Sequence, residues 1–327
     1  MLYLTGSILA LFLFHPMANS SKKIKEIGED ALINRITKNL PLGKDIVAGA
    51  GDDCAVIKSN DPQLYVLLKI DCVIEGIHYM KSTPPSAVGY KALSRAISDI
   101  AAMGGTPKHA MISLSLRPEC NVSYVTSLYH GLSKASSPYN ISIVGGETAS
   151  CGKNGTPSVT VSLTGDVRRD RCCFRSNGKS GHSLFVTGKL GKSLNGHHLR
   201  FTPRIEEAQW ITKKFKPSAM MDLSDGIASD LPRLAESSNC GYSIDTNKIP
   251  RLRGATIQES LCDGEDYELL FAIASKNCKK LEVAWRKKFP NLTLTRIGKL
   301  SPEGTADPNL KGGWQHFQSK HNEKSNH

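Results

Sequence analysis

The feature that most constrains this chain is the alternation of short β-type runs and amphipathic helices along both of its halves. The clearest helix is predicted over residues 86–103, where apolar residues recur at helical spacing and two glycines follow the last turn. β-type runs are predicted on either side of it, at 64–70 and 111–116. Helices that alternate with strands bury their apolar faces against sheets, so the predicted fold class is α/β (α+β).

The other predicted elements fall into two groups, separated by a basic, polar segment at residues 168–179. The first group has helices at 27–40 and 122–136 and strands at 54–57, 141–144 and 159–164. The second has strands at 183–187, 242–244 and 267–273, a loop at 221–226 and a helix at 230–237. We therefore predict an N-terminal extension at 1–25, domains at 26–167 and 168–318, and a polar tail at 319–327.

An apolar run at residues 2–14 precedes the predicted domains. It is too short to cross a bilayer as a helix, and it lacks the preceding basic residues of a secretory signal. Met17 offers a second possible start of translation, so we expect residues 1–16 to lie upstream of the true start. The alternative is that the chain is exported and cleaved after Ser20. The nine cysteines show no Cys-x-x-Cys spacing, and their odd number fits reduced thiols. The predicted location is cytoplasmic, with no membrane span.

The chain carries a formal net charge of +12, with 42 Lys and Arg against 30 Asp and Glu. Such an excess attracts polyanions in general, including nucleic acid, anionic membranes and phosphorylated small molecules. Aromatic residues make up only 6% of the chain and do not alternate with basic runs, as they do on surfaces that stack bases. We therefore expect no nucleic-acid partner.

Seven acidic residues stand where glycine, serine or an element end adjoins them, and they are the main chemical signal of the chain. Each of them alone is explained as well by a turn or a helix cap. Together, in a chain of positive net charge, they would repel one another unless divalent cations bind between them. Mg²⁺ favours carboxylates combined with substrate phosphates. The set comprises Asp52, Asp53, Asp71, Asp99, Glu147, Asp222 and Asp225.

Three other enzyme signatures are incomplete or missing in the sequence. Gly178-Lys179-Ser180 and Gly191-Lys192-Ser193 resemble the end of a P-loop, but the glycine required five residues earlier is Cys173 or Val186. A Gly-x-Ser-x-Gly elbow and the protein-kinase motif set are both missing from the sequence.

Five motifs occur in a fixed order along the chain. They are Gly51-Asp52-Asp53-Cys54-Ala55, Tyr90-Lys91-Ala92-Leu93 with Ser98-Asp99-Ile100, Gly145-Gly146-Glu147-Thr148, Asp222-Leu223-Ser224-Asp225-Gly226 and Gly264-Glu265-Asp266-Tyr267. In this order they resemble the thiamine-monophosphate kinase family, over roughly residues 26–317. The motif Glu265-Asp266-Tyr267-Glu268-Leu269 and the closing Gly313-Trp314 are the more particular to that family, whereas the Asp-rich motifs recur in aminoimidazole ribonucleotide synthetase and selenophosphate synthetase.

The resemblance implies a two-domain aminoimidazole ribonucleotide synthetase-like fold and a homodimer that pairs its N-terminal sheets. It also implies phosphorylation of thiamine monophosphate by ATP, by direct phosphoryl transfer without a covalent nucleophile. By position it implies Mg²⁺ ligands at Asp53, Asp71, Asp99, Glu147, Asp222 and Asp225. It implies ATP contacts at Gly146, Glu147, Arg175 and Ser224, and thiamine contacts at His78, Glu265 and Trp314.

The chain departs from that family at the segment Lys69-Ile70-Asp71, where Ser/Thr-Thr-Asp is usual. Two hydroxyl ligands are lost there, and the Lys69 ammonium either substitutes for one Mg²⁺ or marks weaker metal binding. Glu147 stands where Asp is usual and reaches one methylene further. The alternative functions are a related ATP-dependent synthetase and a catalytically impaired, nucleotide-binding relative.

Overall fold

The computed structural model describes residues 22–307, 310, 312–314, 316 and 317. The expectations for the apolar run at 2–14, for a start at Met17 and for the tail at 319–327 therefore lie outside the described residues. The described residues fall into two compact units, one within residues 41–314 and one that comprises residues 22–40, 316 and 317. The boundary predicted at 167/168 stays a prediction.

The smaller unit contains two short helices, α1 (Ile24–Ile27) and α2 (Glu29–Thr37). A single helix at 27–40 was predicted, and this prediction is wrong at both ends. Gly28 lies between the helices with φ of +78°, a conformation that a right-handed helix cannot contain and that glycine adopts readily. The chain therefore changes direction there.

The first sheet of the larger unit has six strands in the order β1-β2-β3-β6-β4-β5. All neighbours are antiparallel except β4 and β5, which are parallel and therefore need a crossover, supplied by helix α4. The strands are β1 (Ile46–Ala48), β2 (Ala55–Lys58), β3 (Leu64–Ile74), β4 (Thr106–Leu116), β5 (Ser142–Ser150) and β6 (Ser158–Arg168), with helices α3 (Pro85–Ala102) and α4 (Val122–Ser136).

Helix α3 packs on one face of this sheet and forms the centre of the core. Strand β3 alternates accordingly: Leu67 and Val73 are buried on the helix side, whereas Leu68 and Ile70 are exposed on the other. The helices α3 and α4 approach closely because Gly89 and Gly131 lack side chains; a Cβ at Gly131 would collide with the backbone of Ser86. On the other face of the sheet, the apolar residues Leu68, Ile70, Met111 and Val144 are exposed.

The second sheet is antiparallel, with strand order β8-β10-β7-β11-β9. Its strands are β7 (Ser183–Thr187), β8 (Ala219–Asp222), β9 (Gly241–Ile244), β10 (Leu269–Ile273) and β11 (Leu294–Ser301), and its helices are α5 (Ile205–Lys214), α6 (Ile227–Ser237), α7 (Ile257–Cys262) and α8 (Cys278–Lys288). The predicted α/β class with helices packed on sheets is confirmed. Within the described part of the chain, no helix is both long and apolar enough to span a membrane.

Two local predictions are wrong. The loop predicted at 221–226 begins later, because Met221 and Asp222 belong to β8 and pair with β10. Asp71 was expected to end a strand, but β3 continues to Ile74 through its pairing with β6. Both carboxylates therefore sit on regular strand backbone, which fixes their direction more firmly than a loop does.

Candidate active site

Three carboxylates from distant parts of the sequence meet at the centre of the larger unit. Asp53 precedes β2, Asp99 lies in the last turn of α3, and Asp222 ends β8. Each offers one oxygen, and the three oxygens lie within 4.8 Å of one another. All three residues are buried, with Asp53 only 2% exposed.

Each of the three carboxylates also has a fixed hydrogen-bond partner. The Ser98 hydroxyl donates to Asp222 Oδ2 at 2.6 Å. The Arg175 guanidinium donates to Asp53 Oδ1 at 2.5 Å, and the Lys69 ammonium donates to Asp99 Oδ1 at 2.7 Å. Asp53 Oδ2, by contrast, is buried without a partner among the described residues. A buried carboxylate oxygen without a donor is costly unless a cation reaches it.

Burial and repulsion between carboxylates raise the pKa of two members of the cluster. Burial, followed by the charge of Asp53, raises the pKa of Asp222 to about 7. Burial raises the pKa of Asp99 well above its usual value, with Asp222 adding to the effect and Lys69 opposing it. A divalent cation between the three carboxylates would offset this repulsion, and carboxylate oxygens are ligands that Mg²⁺ prefers.

Asp71 lies beside this cluster, on the helix side of β3, together with Lys69. Its oxygens are 3.9 Å from the Lys69 ammonium and 3.5 Å from the Arg95 guanidinium. Burial alone would raise the pKa of Asp71, but these two cations outweigh it and hold the pKa below its usual value. The structure thus brings Asp71 close to Asp99, but in a salt-bridged position.

Arg175 ties the segment after β6 to the acidic loop before β2. Its backbone N–H donates to Asp52 Oδ2 at 3.1 Å, and its side chain holds Asp53. Burial and the neighbouring Asp53 raise the pKa of Asp52 to about 7, against the pull of Arg175. Burial raises the pKa of the nearby Cys54 well above its usual value, so this residue is a thiol at neutral pH.

Three segments that carry predicted site residues are joined by backbone hydrogen bonds. The Glu265 N–H donates to the Ser224 carbonyl at 2.7 Å, and the Trp314 N–H donates to the Asp225 carbonyl at 2.9 Å. Asp225 itself is held by Arg233 at 2.5 Å. Glu265 has a φ of +54°, a left-handed conformation that is uncommon for non-glycine residues and that often marks functional loops. Ser224, Asp225, Glu265 and Trp314 are thus neighbours.

Lys91 connects two of the predicted thiamine contacts, and it was not predicted as a site residue. Its side chain is fully buried, and its ammonium lies 2.6 Å from the Glu265 carboxylate and 2.5 Å from the His78 carbonyl. Burial lowers the pKa of Lys91 to about 8, although Glu265 opposes the shift. The available sequence signal was a lysine on the apolar face of a helix, which is expensive unless paired.

The next three residues of the Glu-Asp-Tyr-Glu-Leu motif make hydrogen bonds and packing contacts within the protein. Asp266 accepts the Gly191 N–H at 3.0 Å, and Tyr267 stacks on Phe201 with ring centroids 4.0 Å apart. Glu268 is buried, accepts the Thr187 hydroxyl at 2.6 Å and pairs with Arg204. These contacts hold the loop that presents Glu265.

Gly146 and Glu147 lie elsewhere, on the exposed edge strand β5. A Cβ at Gly146 would collide with the Ile112 carbonyl of β4, which explains the glycine by strand packing. Glu147 is exposed, its Oε1 accepts the Thr148 N–H at 2.9 Å, and it is not a member of the three-carboxylate cluster. A role for Glu147 as a metal ligand stays a prediction.

Family models, curated proteins and a solved structure identify the same group of relatives for this chain. Residues 51–167 match the AIR synthase related protein N-terminal domain, and residues 177–308 match the corresponding C-terminal domain. The thiamine-monophosphate kinase of Aquifex aeolicus is 34% identical, over 90% of this chain and 100% of that protein. That of Buchnera aphidicola subsp. Acyrthosiphon pisum is 33% identical, over 79% and 87%. The solved structure of AaThiL complexed with AMPPCP and TMP superposes with a TM-score of 0.77 at 32% identity, covering 91% of this chain and 100% of that one.

Proposed function

This chain belongs to the thiamine-monophosphate kinase family of AIR synthase related proteins, and we propose that it phosphorylates thiamine monophosphate with ATP. The family resemblance drawn from the motifs is confirmed by relatives that span most of the chain. In the proposed reaction the bond from the γ-phosphorus to the β,γ-bridging oxygen breaks. A new bond joins that phosphorus to a phosphate oxygen of the acceptor, giving ADP and thiamine diphosphate.

The observation that carries the proposal is the buried cluster of Asp53, Asp99 and Asp222 with its unpartnered Asp53 oxygen. We propose that these three residues hold Mg²⁺, with Asp71 beside them. Mg²⁺ bound there would neutralise phosphate charge and polarise the transferred group. The cluster is buried and lies next to Arg175, whose guanidinium can pair with phosphate oxygens in a bidentate manner.

The remaining predicted contacts are proposed on the same basis. Arg175, Ser224, Gly146 and Glu147 would contact ATP, and His78, Glu265 and Trp314 would contact the thiamine moiety. A carboxylate and an aromatic face suit the cationic thiazolium ring of that substrate. The proximity of Glu265, Ser224 and Trp314 supports the placement of both substrates along these three joined segments.

We propose direct transfer, without a phosphoenzyme. Two nucleophilic side chains adjoin the cluster: the Ser98 hydroxyl donates its proton to Asp222, and the raised pKa of Cys54, next to Asp53 in the chain, keeps it in the unreactive thiol form. Both reactants are anionic, so the work of the protein is to position them and to neutralise their charge. Cells supply ATP and Mg²⁺ in the cytoplasm, which we propose as the location; partners other than substrates and a second copy of the chain are not expected.

A coupled assay of ADP release with thiamine monophosphate and Mg²⁺ tests the function directly. We expect ADP and thiamine diphosphate to form in equal amounts, with no ADP release when the acceptor is omitted. Binding of ATP without ADP release would favour the impaired relative. ADP release that tracks another acceptor, with no thiamine diphosphate formed, would favour a related synthetase.

Exposed apolar residues on the outer face of the first sheet support the homodimer that we propose. Ile70 and Met111 flank Ser162 on this face and are 67% and 52% exposed, with Leu68 and Val144 exposed nearby. An apolar patch of this kind marks an interface, and pairing of two identical faces is the commonest way to bury it.

Substitution Met111→Lys should therefore dissociate the dimer, because it places a charge in the middle of the apolar face. We expect light scattering at micromolar concentration to give twice the chain mass of 35.6 kDa for the wild type and a value near the chain mass for the variant. Val283→Lys is the matched control, since Val283 is 69% exposed on α8, far along the chain from this face. A monomeric wild type, or a Met111→Lys variant as dimeric as the wild type, would contradict the proposal.

A further inference from the structure

We propose that the Lys69 ammonium permanently fills one cation position of the acidic cluster, so that the chain without nucleotide binds one divalent ion fewer than its carboxylates would otherwise hold. The inference rests on the cation site of the proposed function and specifies its composition. It does not depend on the identity of the phosphoryl acceptor.

Lys69 reaches the cluster because of its position in β3. Alternation along the strand puts Lys69 and Asp71 on the side facing α3, whereas Leu68 and Ile70 face outward. The ammonium lies 2.7 Å from Asp99 and 3.9 Å from Asp71, and the side chain is only 20% exposed. It therefore occupies space between two carboxylates beside the three-oxygen cluster, where a cation would otherwise be needed.

Formal charges indicate how many divalent ions remain to be bound. Asp52, Asp53, Asp71, Asp99 and Asp222 form a linked network with the cations Lys69, Arg95 and Arg175. The count applies to the metal-bound state, in which the divalent ion displaces the protons of the carboxylates around it. Five ionised carboxylates against three cations then leave a formal charge of −2, which a single divalent ion balances. Without the ammonium the charge becomes −3, and a buried site with that excess attracts a further cation.

A fixed ammonium also differs from a metal ion in what it can do. It supplies charge at a set place without being lost at low Mg²⁺, but it has only N–H donors and cannot coordinate water or phosphate as a Lewis acid does. Lys69 is therefore a positioning residue that orients Asp99 and Asp71. A metal held by Asp53, Asp99 and Asp222 would supply the contact with phosphate.

The test counts Mn²⁺ bound by the full chain without nucleotide, from the electron paramagnetic resonance signal of free Mn²⁺. Ions of the site are defined as those lost in an Asp222→Asn variant. We expect about one such ion per chain in the wild type and about two in Lys69→Met, which keeps the side-chain length but removes the charge. Lys69→Arg retains the charge and should bind as the wild type does.

Lys108→Met is the matched control, since Lys108 also pairs with an aspartate, Asp166, but is 45% exposed and outside the network. Two or more site ions in the wild type would overturn the inference, and this measurement does not require any Lys69 variant to fold. An unchanged count in a folded Lys69→Met protein would overturn it as well. If the ADP assay fails while the Mn²⁺ count rises in Lys69→Met, the inference stands and the proposed kinase reaction falls.

Discussion

An Asp222→Asn variant is expected to lose at least about a hundredfold in kcat for ADP release, the magnitude typical when a group that stabilises transition-state charge is removed. Asp222 contributes one of the three buried oxygens, and asparagine keeps its shape and its hydrogen bond from Ser98 while removing the charge. Asp99→Asn should have a similar effect. The measurement is kcat as a function of Mg²⁺ concentration.

The unfolding temperature of the Asp222→Asn variant distinguishes the loss of a metal ligand from misfolding. Asp222 is buried beside Asp53 and Asp99, and burial with the charge of Asp53 raises its pKa to about 7. Removal of one of these like charges in the metal-free protein should leave the unfolding temperature unchanged or raise it. Asp166→Asn is the control, since Asp166 is 38% exposed and pairs with Lys108 at the surface. Near-normal activity of Asp222→Asn at low Mg²⁺ would show that this residue is not a ligand.

The structure brings together three of the seven acids that stood out in the sequence, Asp53, Asp99 and Asp222, and their roles as metal ligands stay predictions. Asp99 alone had a local reason to stand out, because a carboxylate in the last turn of an apolar helix, at the negative end of the helix dipole, needs a cation nearby. That the same three lie together depends on contacts between segments far apart in sequence, which the motifs supplied only through family resemblance. Local sequence did not predict the position of Asp71 correctly. Strand β3 continues past this residue because it pairs with β6 as far as Ile74.

Helix α8 and strand β11, which lack a strong hydrophobic periodicity, were not predicted. Helix α8 has only Cys278, Leu281 and Trp285 buried in a run rich in lysine, so its apolar face is narrow. Strand β11 becomes a strand by pairing with β7 and β9 on both sides. Lys91 was overlooked for the same reason, since its partner Glu265 lies in the other half of the chain. Non-local pairing decided these features, and no window of sequence contains it.

The second large effect concerns the loop that presents Glu265. A Glu268→Gln variant should lower the free energy of unfolding by about 3 kcal/mol, because loss of one partner leaves the other charge of a buried pair uncompensated. The Glu268 side chain is 3% exposed, pairs with Arg204 and accepts the Thr187 hydroxyl. Glutamine conserves the volume, so the loss reports charge and hydrogen bonding rather than a cavity. The free energy of unfolding is measured by urea denaturation, with circular dichroism as the signal.

An exposed ion pair, between a glutamate and a lysine, shows what the burial of Glu268 contributes. Glu206 pairs with Lys288 at 2.6 Å, but its side chain is 69% exposed, and exposed pairs contribute little because water screens them. Glu206→Gln should therefore leave the urea midpoint unchanged. If both variants lost equal stability, burial would not be the cause of the effect. If Glu268→Gln were as stable as the wild type, Arg204 would be satisfied by Glu207, which lies 3.8 Å away, and the buried pair would not be what holds the loop.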